Sequence, residues 1–95
     1  MSTGRRDVAR KRVVVSGRVQ GVNFRSECTR AARAGGVSGW VRNRPDGRVE
    51  AVFEGEAGAV ARMVSWCEVG PRLAAVRGVD VHDEVPTGES GFRVH

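Results

Sequence analysis

Residues 17–25 have the sequence Gly-Arg-Val-Gln-Gly-Val-Asn-Phe-Arg and join two segments of different periodicity. The apolar run at 13–15 predicts a strand before them, and residues 26–34 predict a helix after them. Backbone N–H groups converge where a helix begins, and the helix dipole favours negative charge there. Arg25 adds a guanidinium that matches phosphate oxygens. We therefore expect an anion site at a strand–turn–helix junction, although the glycines alone fit a plain turn equally well.

The segments on either side of this junction predict the fold. The first strand is expected at 11–16, and from Phe24 the apolar residues recur at helical spacing until Gly35 ends the helix. The other expected elements are strands at 37–44 and 48–54, a helix at 56–69, and strands at 76–83 and 91–94. This order indicates the α+β class: a ferredoxin-like split β-α-β sandwich, with two helices packed on one face of an antiparallel sheet of four to five strands.

Length and charge distribution divide the chain into a tail and one domain. Its 95 residues are enough for one small core. The net charge of +5 is concentrated at the start: residues 1–12 hold five basic residues against Asp7, whereas residues 13–95 hold eleven arginines against ten acidic residues. We therefore expect a disordered basic tail at 1–10, a nearly neutral domain at 11–95 and no nucleic-acid partner.

Apolar and cysteine content indicate the compartment. No stretch approaches the roughly 20 apolar residues needed to span a bilayer. The arginine-rich start lacks the apolar run of a secretory signal. Cys28 and Cys67 fall inside predicted helices and are expected to be buried free thiols, with a disulfide between them left open. These features predict a cytoplasmic protein without a membrane partner.

A second motif lies at 39–51. Its two parts are Gly-Trp-Val-Arg-Asn at 39–43 and Pro-Asp-Gly-Arg-Val-Glu-Ala at 45–51. Together with residues 17–25, this motif resembles the signatures of the acylphosphatase family, and the resemblance runs from about Val13 to Val94. It implies the same split β-α-β fold and a small stand-alone enzyme. Such an enzyme hydrolyses the carboxyl–phosphate anhydride bond of acyl phosphates to carboxylate and orthophosphate.

The resemblance also implies a role for each signature position. Arg25 would bind the phosphate and Asn43 would position the attacking water, so both are candidate catalytic residues. Backbone N–H groups would complete the phosphate cradle at Gln20, Gly21, Val22, Asn23 and Phe24. The resemblance implies no metal and no organic cofactor. The expected partner is a small acyl phosphate bound by a monomer, and a phosphate or sulfate ion could occupy the same site.

The residue types also suit this chemistry. The leaving group of an acyl phosphate is a carboxylate, which needs little protonation, so a strong general acid is dispensable. The protein then has to hold the phosphoryl group, neutralise its developing charge and orient a water. The amide of Asn43, near the end of the second predicted strand, can orient a water without titrating.

Other polar and aromatic residues are expected to lie outside the chemistry. His82 and His95 have no partner at a useful spacing, which leaves a histidine base unsupported. Glu50 and Glu54 alternate outward on a strand and predict a solvated face rather than a catalytic pair. Trp40 is expected to pack beside the site or to form its rim.

Two other functions remain as alternatives. A noncatalytic anion- or acyl-phosphate-binding module would keep Arg25 and the loop but could dispense with Asn43, so the presence of Asn43 favours the enzyme. An RNA-binding domain of this fold would need exposed aromatic side chains on the first and third strands. Phe53 is the only aromatic residue in those two predicted strands, and it alternates in line with the apolar Val49 and Ala51. This pattern disfavours RNA binding.

Overall fold

The computed structural model describes residues 7–95. Its elements are β1 Val8–Arg18, α1 Phe24–Ala34, β2 Ser38–Asn43, β3 Val49–Glu56, α2 Ala57–Val69, β4 Ala75–Glu84 and β5 Phe92–Val94. This order confirms the predicted α+β class, and the ends of the strands and helices agree with the predictions to within three residues. Neither helix in this part of the chain is long and apolar enough to cross a membrane.

The strands form one sheet in the order β4-β1-β3-β2-β5. β1 pairs antiparallel with both β3 and β4, and β2 pairs antiparallel with β3. β5 pairs parallel with β2, so the sheet is mixed and not antiparallel throughout. The reason is the route of the chain, which leaves β4 at one edge of the sheet, crosses to the opposite edge and returns in the direction of β2.

The core lies between one face of the sheet and both helices. α1 packs mainly on β2 and β5, whereas α2 packs on β1, β3 and β4. The predicted apolar stripe of α1 supplies Phe24, Cys28 and Ala32 to this core. The facing strands contribute Val13, Val15, Val41, Val49, Ala51 and Phe53. The junction at 19–23 is therefore held between a packed strand and a packed helix.

The two cysteines lie in this core as buried free thiols, which confirms the prediction. Hydrogen bonding to Cys67, together with burial, raises the pKa of the Cys28 thiol well above its ordinary value. The Cys28 thiol therefore stays protonated and packs as a small apolar group.

The first strand begins earlier than the sequence predicts. Residues 8–10 belong to the predicted disordered tail, but they pair with β3, where Arg10 lies opposite Glu54. The Arg10 guanidinium is buried and forms ion pairs with Glu54, Glu84 and Glu89. The spacing of apolar residues does not reveal this part of β1, because its buried side chain is a charged arginine that is paired with carboxylates. Residues 1–6 of the predicted tail lie outside the described residues.

The prediction that Glu50 and Glu54 are solvated is wrong. Both alternate onto the sheet face opposite the helices, as expected, but both side chains are buried there. Arg12 and Arg42 form ion pairs with Glu50, and the segment after β4 donates backbone hydrogen bonds to Glu54. Arginine side chains and a crossing segment therefore cover a face that sequence alternation assigns to water.

Candidate active site

A bulged strand end and a left-handed turn shape the junction between β1 and α1. The register between β1 and β4 shifts between Ser16 and Gly17. Gly17 has a φ of +118°, and a Cβ there would lie 2.3 Å from the carbonyl oxygen of Ala75, so the position requires glycine. Gly21 and Asn23 then adopt positive φ values of 76° and 64°. The chain therefore curls tightly just before α1, and its N–H groups can converge on one point.

The first turn of α1 is open to an anion. Asn23 is the N-cap residue, but its side chain makes no capping hydrogen bond. Its main-chain oxygen accepts hydrogen bonds from the N–H of Glu27 at 3.1 Å and from Oγ of Ser26 at 3.3 Å. A helix start leaves N–H groups without intrahelical partners, and the helix dipole is positive there. This terminus therefore offers hydrogen-bond donors and positive potential to an anion.

One cavity brings the two predicted catalytic side chains together. It has a volume of about 390 Å³. Arg25, in the first turn of α1, and Asn43, the last residue of β2, both line it. Of the predicted loop residues, the wall contains Gly21, Asn23 and Phe24. It also contains Val19, Ser26 and Val94, which sequence reasoning missed. Two of these had a signal in the sequence, since Val19 lies within the motif at 17–25 and Ser26 follows Arg25 in the same helical turn.

The other two predicted loop residues, Gln20 and Val22, direct their side chains elsewhere. Nε2 of Gln20 donates to the carbonyl oxygens of Arg44 at 2.8 Å and of Arg48 at 2.9 Å. These carbonyls lie in the β2–β3 hairpin, so the bonds join the loop to the strand end that carries Asn43. The Val22 side chain is buried in the core. These two residues can contribute to the anion site through their backbone N–H groups.

The guanidinium of Arg25 contacts the last residue of the sequence. Its Nη1 donates to the main-chain oxygen of His95 at 3.1 Å. The N–H of His95 donates to the oxygen of Val41 at 2.8 Å, and its ring lies edge-on to Trp40 with 5.6 Å between centroids. Trp40 does not line the cavity, and its ring centroid lies 5.9 Å from the guanidinium carbon of Arg12. Its expected place beside the site therefore stays a prediction. The contact of His95 with Arg25 is made by its main chain, so the expectation that its imidazole takes no part in the chemistry stays a prediction. No pattern in the sequence shows that the residue after β5 reaches Arg25.

The electrostatics of the cavity are simple. Among the described residues, Arg25 is the only charged side chain on its wall. Carboxylates with perturbed pKa values lie elsewhere: the N–H of Arg48, supported by the Arg44 guanidinium, lowers the pKa of Asp46 in the β2–β3 turn. Across residues 7–95, no group of three or more His, Cys, Asp or Glu side chains could hold a metal ion. The wall therefore offers a cation, two side-chain amides, a hydroxyl and backbone donors, which can hold an anion and orient a neutral nucleophile.

Comparison with known proteins identifies one family. The acylphosphatase family model matches residues 11–94. The chain is 63% identical to an acylphosphatase of Roseiflexus sp. (strain RS-1) over 89 residues, which cover 93% of this chain and 96% of the relative. It is 60% identical to an acylphosphatase of Rubrobacter xylanophilus over 90 residues, covering 94% and 82% of the two chains. The solved structure of an acylphosphatase from Coxiella burnetii matches with a TM-score of 0.92 at 36% identity, covering 100% of both chains.

Proposed function

This chain belongs to the acylphosphatase family, and on that premise we propose how its cavity hydrolyses acyl phosphates. As a member of this family, the protein is a hydrolase that acts on acyl phosphates. The observation that carries the mechanism is the shared cavity: Arg25 and Asn43 line it together, at a helix start that has no side-chain cap. A small-molecule substrate fits a cavity of about 390 Å³.

The phosphoryl group of the substrate lies against the N-terminus of α1. The backbone N–H groups from Gln20 to Phe24 donate to its oxygens, and Arg25 neutralises its charge. The oxygen of His95 holds one side of the Arg25 guanidinium, which reduces the number of conformations available to that side chain before substrate binds. The same donors would take a free phosphate or sulfate ion.

Asn43 orients the water that attacks phosphorus. The amide oxygen accepts a hydrogen bond from this water, and the amide does not titrate. A new bond forms between the water oxygen and phosphorus as the bond from phosphorus to the acyl oxygen breaks, and the electron pair leaves with the carboxylate. The water proton passes to a phosphate oxygen, so the products are a carboxylate and orthophosphate. The loop N–H groups and Arg25 stabilise the charge on the phosphoryl oxygens.

The proposed site is built from one chain, and the cysteines of the core suit a reducing compartment. All of its groups come from a single chain, so we propose that the protein works as a monomer. The buried free thiols of Cys28 and Cys67 suit the cytoplasm, where thiols stay reduced.

Binding and turnover measured on the same variants test this mechanism and separate it from a noncatalytic anion-binding module. The substrate is benzoyl phosphate with a metal chelator present, and phosphate binding is followed by calorimetry. Arg25→Gln is expected to lose phosphate binding and about a hundredfold or more in kcat/KM. Asn43→Ala is expected to lose about a hundredfold in kcat and to keep its phosphate affinity within about threefold, because its contact is with the water.

Arg30→Gln is the matched control, since Arg30 is exposed on the same helix and pairs with Glu27 one turn away. We expect its activity to stay within about twofold of the unaltered protein. Equal losses in Arg25→Gln and Arg30→Gln would contradict the proposed site. If the unaltered protein binds phosphate through Arg25 but hydrolyses nothing, the anion-binding module is the better description.

A further inference from the structure

The strand β5 supplies part of the site, although it has three residues and lies at the edge of the sheet. Its last residue, Val94, lines the phosphate cavity. The oxygen of the next residue, His95, accepts from Nη1 of Arg25 at 3.1 Å. A strand at the edge of a sheet has a hydrogen-bond ladder on one side alone. Contacts on the other side of β5 therefore affect where the guanidinium of Arg25 is held.

A second arginine of α1 contacts the free edge of β5. The oxygen of Gly91 and the N–H of His95 form hydrogen bonds with β2. Main-chain groups of successive residues in a strand point to opposite edges, so the oxygen of Phe92 points away from β2. Nε and Nη2 of Arg33 donate to this oxygen at 3.2 Å and 2.8 Å. Arg33 therefore provides hydrogen-bond donors that no neighbouring strand supplies at this edge.

The helix α1 thus holds β5 at both ends. Arg25 lies in the first turn of α1 and Arg33 in the last, and eight residues of helix rise about 12 Å. Phe92 and His95 are three residues apart, which is about 10 Å along a strand. The two spans are similar, so a helix that packs along β5 can make both contacts at once.

The contact of Arg33 affects the geometry of β5 more than the stability of the fold. Arg33 is exposed, so a water can donate to the Phe92 oxygen in its place. The ring of Phe92 is buried and stacks on Phe53 with 5.8 Å between centroids, which keeps β5 attached to the core without Arg33. Loss of Arg33 therefore frees mainly the main chain after Phe92, which includes Val94 and His95.

We propose that Arg33 is a positioning residue that orders the guanidinium of Arg25 through β5. By holding the Phe92 oxygen, Arg33 keeps β5 in place along α1. The His95 oxygen then stays within reach of Arg25 and orders its side chain before phosphate binds. This inference rests on the proposed function, in which Arg25 binds the phosphoryl group. Arg33 does not line the cavity, so its effect should appear in phosphate affinity and KM more than in kcat.

Calorimetric binding of inorganic phosphate and hydrolysis of benzoyl phosphate test this inference. Arg33→Met keeps an unbranched side chain of similar helix propensity but removes every donor. We expect it to weaken phosphate binding about threefold and to raise KM by a similar factor. Arg33→Lys keeps the charge at the end of α1 and supplies an ammonium donor, so it should recover most of the affinity. Arg30→Met is the matched control, because Arg30 pairs with Glu27 on the same helix, and its affinity should stay within about 1.5-fold of the unaltered protein.

Deletion of His95 shows whether Arg33 acts through β5. If it does, Arg33→Met should have no further effect in the chain that lacks His95. The two changes together should then weaken phosphate binding about threefold, whereas independent effects would multiply to about ninefold. A merely structural role of Arg33 would give the multiplied value.

The outcomes separate this inference from the proposed function. Equal phosphate affinities in Arg33→Met and Arg30→Met, or a ninefold loss in the double change, would overturn the inference while the proposed function stands. Phosphate binding by the unaltered protein without hydrolysis would overturn the proposed function, and the phosphate affinities of the variants would still decide whether Arg33 positions Arg25. Failure of the unaltered protein to bind phosphate would overturn both.

Discussion

Replacement of Glu54 by glutamine should cost this small domain a large part of its stability. Glu54 is 5% exposed, and its side chain accepts four hydrogen bonds. Oε1 accepts from Nη1 of Arg10 at 2.9 Å and from the N–H of Thr87 at 3.0 Å. Oε2 accepts from the N–H groups of Gly88 at 2.7 Å and of Glu89 at 3.1 Å. These bonds fasten the segment that crosses the sheet between β4 and β5.

The size of the loss follows from counting these donors. A glutamine amide has the same shape but a single oxygen, so two of the four donors would face an N–H group. A hydrogen bond to a charged group contributes about 1.5–3 kcal/mol, and two such bonds lost give at least about 3 kcal/mol. Arg10 keeps its ion pairs with Glu84 and Glu89, so no unpaired charge is added to this loss. For a domain of this size, the melting temperature should fall by about 12 °C or more.

The pH dependence gives the same prediction a second test. Burial opposes ionisation of Glu54, but the N–H of Thr87, the Arg10 guanidinium and the N–H groups of Gly88 and Glu89 outweigh it and lower its pKa from 4.5 to about 2. The unfolded chain therefore binds a proton at higher pH than the folded chain does. The stabilisation from Glu54 is complete above about pH 4.5 and is lost as pH falls towards 2. The difference in unfolding free energy between the unaltered protein and Glu54→Gln should shrink over that range.

Urea unfolding at a series of pH values measures both effects. Asp83→Asn is the matched control, because Asp83 makes an ion pair with Lys11 on the neighbouring strand but is exposed. That variant should change the unfolding free energy by less than about 0.5 kcal/mol. The reasoning would be refuted if Glu54→Gln lost no more unfolding free energy than the control. It would also be refuted if that loss stayed constant between pH 5 and the acid transition.

Three further changes have expected outcomes. Gly17→Ala would place a Cβ 2.3 Å from the oxygen of Ala75, so we expect a loss of more than about 2 kcal/mol in urea unfolding, and a neutral result would contradict the bulge. Gln20→Ala removes two hydrogen bonds from the loop to the β2–β3 hairpin, so kcat should fall and the melting temperature should drop by several degrees; an unchanged kcat would show that this link does not position the loop. Deletion of His95 leaves the Arg25 guanidinium less ordered, and phosphate binding measured by calorimetry should weaken about threefold, whereas tighter binding would show that His95 competes with the anion.

Local sequence features predicted most of the fold. Glycine and proline breakers, together with period-two and helical apolar patterns, placed all seven elements of the described chain because each pattern acts over a few residues. The parallel pairing of β5 and the burial of Glu54 were not predictable in this way. Both depend on the path of the segment after β4, which crosses the sheet and brings Thr87 to Glu89 over the side chain of Glu54.

The candidate site, like the fold, was predictable only where the signal lies in local sequence. Arg25 and Asn43 were predicted to act together, and the structure brings them to one cavity because α1 packs over β2. Val94 and the oxygen of His95 were missed, since β5 and the residue after it, which are distant in the sequence, bring both to the site. The catalytic roles of Arg25 and Asn43 stay predictions until their variants are assayed.

The measurement that tests the central claim most directly is the rate of benzoyl phosphate hydrolysis by Arg25→Gln beside Arg30→Gln, with a chelator present. The two variants remove the same charge from the same helix, and Arg25 alone of the two lines the cavity. We predict that Arg25→Gln loses about a hundredfold or more in kcat/KM while Arg30→Gln stays within about twofold of the unaltered protein. Equal rates for the two folded variants would contradict a phosphate site at the start of α1.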